Sequence, residues 1–184
     1  MRAWLIFLDE SGLLMALLAR RTWSPRGRTP SLPQRTRSHQ KVSVIAALCV
    51  APGRERVRLY FRLHPGANIN AARVAGFLRQ LGRQLDGPIV LLWDRLLAHR
   101  ARSVQALLGR ATGLRAFFFP PYAPELNPVE YLWGWLKLNP LANWAPSEVE
   151  ALAAAARRHG RSLQRKPQLL RSFVRHSPLS LRLK

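Results

Sequence analysis

"FFFPPYAPELNPVEYLWGWLK", Phe117 to Lys137, decides how the rest of the chain is read. It opens with the end of an apolar run, Leu114–Phe119, which has the composition of a buried strand. Pro120 and Pro121 stop that run. Asn127 is then a good N-cap and Pro128 suits the first helical position, so a helix is expected over Asn127–Leu138. Val129, Tyr131, Leu132, Trp133, Trp135, Leu136 and Leu138 make this helix apolar nearly all round, as in a core helix. One stripe is different: Glu130, Gly134 and Lys137 set a carboxylate, a gap without a side chain and a cation on one face. Glu130 falls at the third helical position, where a capping box explains it locally. A helix lying against a metal site and a phosphate backbone explains the whole stripe.

Working outward, two more apolar runs end at an aspartate. Trp4–Leu8 reads as a buried strand ending at Asp9, and Ile89–Trp93 as another ending at Asp94. Val42–Val50 and Val57–Leu63 read as a hairpin turned at Pro52-Gly53. Val74, Phe77, Leu78, Leu81 and Leu85 have helical spacing within a segment 69–85, and Asp86-Gly87-Pro88 stops it. Further helices are expected over His99–Arg110, Ser147–His159 and Gln168–His176. Continuous apolar strands alternating with helices imply parallel strands covered on both faces, and the hairpin adds antiparallel ones. The expected fold is therefore α/β, a mixed sheet with helices on both faces. Residues 1–145 form the expected core and 146–184 a basic helical extension packed on it. Arg20–Gln40, rich in Pro and Arg, reads as a loop or a long hairpin arm.

The chain has 184 residues, with 30 Lys and Arg against 9 Asp and Glu, for a formal charge of +21. An excess of that size, spread along the whole length, favours a polyanionic partner and points to nucleic acid. The bland reading is a solvated basic surface. Cys49 is the only cysteine, so an internal disulfide and a cysteine zinc cluster are excluded, and a reduced, intracellular setting fits. No apolar run approaches the roughly 20 residues of a membrane span.

With so few acids, each can be asked for its local excuse. Glu55 lies in the hairpin turn and Asp86 in the turn that ends a helix; Glu148 and Glu150 follow Ser147, and Ser147-x-x-Glu150 is a capping box. Glu125 lies in the loop before Asn127. Glu10 points to the opposite strand face from Asp9 and, with Ser11 and Gly12, is expected to serve a turn. Asp9 and Asp94 each follow an apolar strand, where the carboxyl ends of strands face the binding crevice of an open sheet. A strand-end Asp often caps the next loop; two at equivalent ends are harder to dismiss. With Glu130 they make a hard-oxygen set suited to Mg²⁺ or Mn²⁺. Phosphodiester cleavage commonly uses two such ions.

These stretches resemble the catalytic domain of bacterial insertion-sequence transposases, in the mariner-like branch of the DDE endonuclease superfamily, with a ribonuclease H-like fold. "FLDESG" around Asp9 resembles the first-Asp motif, and "RTWSPRGRTP" the basic arm. "LLWDRLLAHR" places Asp94 as the second Asp, with His99 five residues on; Arg95 stands where the family often has Asn. "PPYAPELNPVEYLWGWLK" resembles the closing motif with Glu130 as third acid, 35 residues lying between Asp94 and Glu130. "SFVRHSPLSL" is a further likeness, and the resemblance covers nearly the whole chain.

The resemblance implies Asp9, Asp94 and Glu130 as catalytic metal ligands for two Mg²⁺ or Mn²⁺ ions, with His99 behind them orienting Asp94 or a bound water. Arg21, Arg26, Arg28, Arg95 and Lys137 are the expected DNA contacts. The implied reaction is cleavage at transposon ends followed by strand transfer to target DNA, in a dimer, in the bacterial cytoplasm at the nucleoid. Family members usually carry an N-terminal helix-turn-helix region. The chain starts only a few residues before its first strand, so a separately encoded helix-turn-helix half is an expected partner. Two alternatives stay open: an inactive remnant that binds nucleic acid through charge, and a stand-alone nuclease of the same fold class such as a junction resolvase.

Overall fold

The computed structural model describes residues 3–16, 18–32 and 40–184. The stretch 33–39 of the basic arm, with His39, lies outside the described residues. Among these residues five strands form one sheet: β1 (Trp4–Leu14), β2 (Lys41–Val50), β3 (Val57–Pro65), β4 (Ile89–Trp93) and β5 (Leu114–Phe118), in the order β3-β2-β1-β4-β5. β1 pairs antiparallel with β2, and β2 with β3; β1–β4 and β4–β5 are parallel. Among the described residues six α-helices accompany them: α1 (Ala71–Gln84), α2 (Leu97–Arg100), α3 (Arg102–Arg110), α4 (Val129–Leu138), α5 (Val149–Gln164) and α6 (Pro167–His176). The mixed sheet with helices on both faces is the one expected.

Side-chain alternation along the central strands divides the core in two. In β2, Val42, Val44, Ala46, Leu48 and Val50 face a cluster that includes residues of α4, α5 and α6. Ile45, Ala47 and Cys49 face the other, with Val74, Phe77, Leu78 and Leu81 of α1 and Val104 of α3. A strand covered on both sides must be apolar at nearly every position, and nine of the ten β2 residues are buried. β1 obeys the same parity. Phe7 and Leu13 join the α4–α6 side, while Trp4, Ile6 and Leu8 join the α1–α3 side.

Four local expectations change. β1 does not end at Asp9. Its parallel pairing with β4 stops at Phe7, but antiparallel pairing with β2 continues, Asp9 opposite Ala46 and Glu10 opposite Ile45, to Leu14. Glu10 is therefore strand, not turn. The expected single helix over 99–110 is α2 followed by α3, because Ala101 adopts an extended ψ of 141°. Ser147 does not cap a helix: α5 begins at Val149 with Glu148 as its N-cap, no side-chain cap bond forms, and the helix runs on to Gln164. At α4 the N-cap position falls to Pro128, and Asn127, one residue earlier, accepts from Val129 N–H at 3.2 Å, so Glu130 is the second helical residue rather than the third.

Candidate active site

Asp9, Asp94 and Glu130 line one open cleft of about 840 Å³, together with Arg95, Leu96, Asn127 and the Phe119–Pro124 loop. Asp94 follows the last residue of β4, Asp9 lies on β1 two residues past the end of its pairing with β4, and Glu130 is in the first turn of α4. Asn127 fastens α4 to the sheet. Its buried side chain donates to Leu8 O at 3.1 Å and accepts from Val129 N–H. Tyr122, at a positive φ of 57°, projects from the rim and is fully exposed.

The three carboxylates have different surroundings. Asp9 is only 8% exposed and accepts from the Trp133 indole N–H at 2.7 Å. Burial pushes its carboxyl up to about 7; the Trp133 bond opposes this, and the charges of Glu130 and Glu10 add to it. A buried carboxylate beside a second one is poorly paired by protein groups alone, which is the condition a divalent cation relieves. Asp94 is half exposed, and the His99 hydrogen bond holds its carboxyl below the ordinary range, against partial burial. Leu96 N–H donates to the same oxygen, Oδ1, at 3.0 Å. Glu130 is exposed, and its side chain also borders an open groove along α4 with Arg20, Tyr131, Gly134, Trp135, Leu138 and Asn139.

His99 is fully buried, stacked on Trp93 at 4.2 Å between ring centres. Its Nδ1 lies 2.8 Å from Asp94 Oδ1, and its Nε2 lies 2.9 Å from Glu10 Oε1. Burial works against a charged ring, but the bonds to Asp94 and Glu10 outweigh it and push the imidazole up to about 10. The ring is thus an imidazolium at neutral pH, donating at both nitrogens. Strand parity and the spacing from Asp94 were signals for the Glu10 contact; its partner, 89 residues away, was not readable.

Two sets of donors share Asp94. Asp9, Asp94 and Glu130 are three oxygen donors around a cleft, which fits Mg²⁺ or Mn²⁺. Glu10, Asp94 and His99 bring one ligand atom each within 4.8 Å of one another. In that second set the two ring nitrogens are already bonded to different carboxylates, so the geometry is that of a hydrogen-bonded line and the cleft set is the better cation site.

Among the expected DNA contacts, Arg95 lies at the cleft and stacks over Phe118 at 5.9 Å. Arg21, Arg26 and Arg28 are exposed on a segment without strand or helix, apart from a turn in which Arg28 N–H donates to Pro25 O. Lys137 lines an apolar pocket with Leu13, Leu14, Leu141 and Trp144, not the groove beside Glu130. The sequence missed Arg20, which ties the root of the arm to the C-terminal end of α4: it bonds Leu138 O and, at 2.7 Å, Asn139 Oδ1. Among the described residues, only Glu55, Glu10 and Asp94 have an Arg or His partner within ion-pair distance, so the cationic excess is left to solvent or to a polyanion.

No curated protein sequence matches the chain. Among solved structures it is similar to the Mos1 transposase paired-end complex with left transposon end, at TM-score 0.63 and 19% identity, over 95% of this chain and 55% of that one. It is also similar to the Mos1 mariner paired-end complex with Mn, at 0.64 and 19%, over 97% and 56%. The catalytic domain of Mos1 mariner transposase gives 0.53 and 17%, over 94% and 81%. The chain thus spans little more than half the length of the Mos1 chains in the paired-end complexes, and at these identities the likeness is one of fold. Residues 4–153, which hold all five strands, the three cleft carboxylates and His99, match the sequence profile described as DDE superfamily endonuclease, and the chain belongs to that family.

Proposed function

We propose that this chain is the catalytic domain of a mariner-like transposase, which cleaves DNA strands at transposon ends and joins the freed 3′-hydroxyl to target DNA. The observation that supports it best is the convergence of Asp9, Asp94 and Glu130 on one cleft, from a strand, a strand end and a helix start. Asp9, Asp94 and Glu130 would hold the divalent ions, Mg²⁺ or Mn²⁺, two of them on this reading. When bound, such ions make water a nucleophile at neutral pH and stabilise the leaving oxygen of an in-line displacement. The protein's own groups do the rest. Trp133 fixes Asp9, and His99 with Leu96 N–H fixes Asp94 as an ionised ligand. Arg95 at the rim binds a phosphate flanking the scissile bond, and Arg21, Arg26 and Arg28 add phosphate contacts from the arm. Lys137, half-buried beside Leu141 and Trp144, contributes least.

The partners that follow are transposon-end and target DNA, a second copy in the active complex, and a helix-turn-helix half that reads the ends. The setting is the bacterial nucleoid. The test is Mg²⁺-dependent nicking of end-containing DNA by the chain together with that half. Asp94→Asn is expected to reduce nicking to background. Undiminished nicking by Asp94→Asn rejects the assignment. DNA binding that is salt-sensitive, indifferent to Mg²⁺ and unaccompanied by nicking supports the inactive remnant, for which the +21 charge is sufficient.

A further inference from the structure

We infer that Glu10 is a positioning residue for the cleft: it holds His99, and His99 holds Asp94. The inference rests on the metal-dependent reading of the cleft given above. Glu10 follows Asp9 in β1, so its side chain leaves the sheet on the opposite face and does not line the cleft. It ends 2.9 Å from His99 Nε2, and the other ring nitrogen meets Asp94 at Oδ1, 2.8 Å, and at the backbone carbonyl, 3.1 Å. A line of carboxylate, imidazole and carboxylate therefore runs from the middle of β1 to the end of β4.

The line is rigid where it matters. The ring is buried, stacked within 12° of the Trp93 plane, and the Gln105 side chain donates to His99 O at 2.7 Å. Asp94, by contrast, is half exposed at the start of an irregular segment. His99 and Leu96 N–H both take Asp94 Oδ1, which leaves Oδ2 for a ligand in the cleft that Asp94 lines. Without the ring the carboxylate is free to rotate between its two oxygens and among its rotamers.

A purely structural role explains Glu10 poorly. Its Oε1 is used, but Oε2 is buried without a hydrogen-bond partner among the described residues. A half-satisfied buried carboxylate is a costly way to fill space, and an apolar residue facing a Leu or Phe in place of His99 fills it at less cost. What a carboxylate supplies is a fixed acceptor that orients the ring. Groups that orient metal ligands from behind typically change metal affinity 10–100-fold when removed, an effect without any contact to the ion.

The experiment measures Mn²⁺ binding to the folded, DNA-free chain by calorimetry and by the loss of the free-ion electron paramagnetic resonance signal. The key variant is Glu10→Leu with His99→Leu, which removes both buried charges together and so keeps the core packed. Its fold is checked by circular dichroism and thermal melting. Expected is Mn²⁺ binding about 10-fold or more weaker than wild type, with fold retained. Glu10→Gln, which keeps an acceptor for Nε2, is expected to rescue most of the affinity. Adding Glu10→Leu to His99→Leu is expected to weaken binding no further. Wild-type affinity in the folded double variant overturns the inference while leaving the cleft reading intact, provided Asp94→Asn loses the ion. If the wild-type chain itself binds no Mn²⁺, the cleft reading falls and the inference falls with it.

Discussion

Replacing Asp9 by Asn in the metal-free protein should make it more stable, and only above mildly acid pH. Asp9 is 8% exposed, and its carboxyl is carried from an ordinary 3.8 to about 7, first by burial and then by the charges of Glu130 and Glu10. Between those two values the unfolded chain has released a proton that the native state still holds. Stability from this group is therefore complete below pH 3.8, falls as pH rises, and is lost above about 7. At roughly 1.4 kcal/mol per pH unit the full loss is on the order of 4 kcal/mol, of which about 3 lies above pH 5. Asn removes the charge and keeps an acceptor for the Trp133 indole, so Asp9→Asn should escape the loss. The assay is urea unfolding of both proteins in a chelator at several values between pH 5 and 8. The gap in favour of the variant should widen by roughly 3 kcal/mol across that range, or about 6–12 °C in melting temperature for a chain of this size. Saturating Mn²⁺ at pH 8 should then narrow or reverse the gap, since an ion at 100 times its dissociation constant adds about 2.7 kcal/mol to the protein that binds it. A gap that does not change with pH, or a wild type that is the more stable at pH 8 without metal, refutes the reasoning.

Three further outcomes are expected. Asn127→Ala severs two buried hydrogen bonds, one to Leu8 of β1 and one to the first residue of α4, and should lower stability by about 1–3 kcal/mol in denaturant melts. Gly160→Ala brings a methyl group within 2.5 Å of the Phe61 ring, so the ring or α5 must shift; a net loss of roughly 1–2 kcal/mol is expected in the same assay, despite the gain in helix propensity. Cys49, fully buried in β2 with its thiol pushed well up by burial, should resist aqueous thiol reagents until the protein unfolds, so labelling kinetics should follow global opening.

What could be read from the sequence was what is decided by neighbours along the chain. Ile89–Trp93, the hairpin of β2 and β3, and the helical spacing of Val74, Phe77, Leu78 and Leu81 each announce their structure through local pattern, and so does Asp94 at a strand end. The errors lie where a distant segment decides. Nothing near Asp9 says that β1 continues, because the continuation is supplied by residues 41–46 of β2. Glu10 reads as a turn residue until His99, folded against it from the far side of β4, makes it a buried partner. The break between α2 and α3 has no proline or glycine to mark it. Ser147 and Glu150 match a capping pattern that α5, starting at Val149, does not use. The three cleft carboxylates were legible because acids are scarce here, so each one without a local excuse stood out.

The parity of β1 has a consequence for how this chain tolerates insertions. Adjacent residues serve two separate layers of the molecule: Asp9 belongs to the side of Trp133 and α4, Glu10 to the side of His99. Adding or losing one residue between Trp4 and Leu8 would slide the strand by a single position and turn each acid to the opposite face. One of the two would stand in the other's place and still meet a donor, so the electrostatics of that site alone would not forbid it. What forbids it is Phe7 and Leu8, which would have to trade sides at the same time and enter packing shaped for the other. The apolar residues upstream thus act as the ruler that tells two neighbouring carboxylates apart.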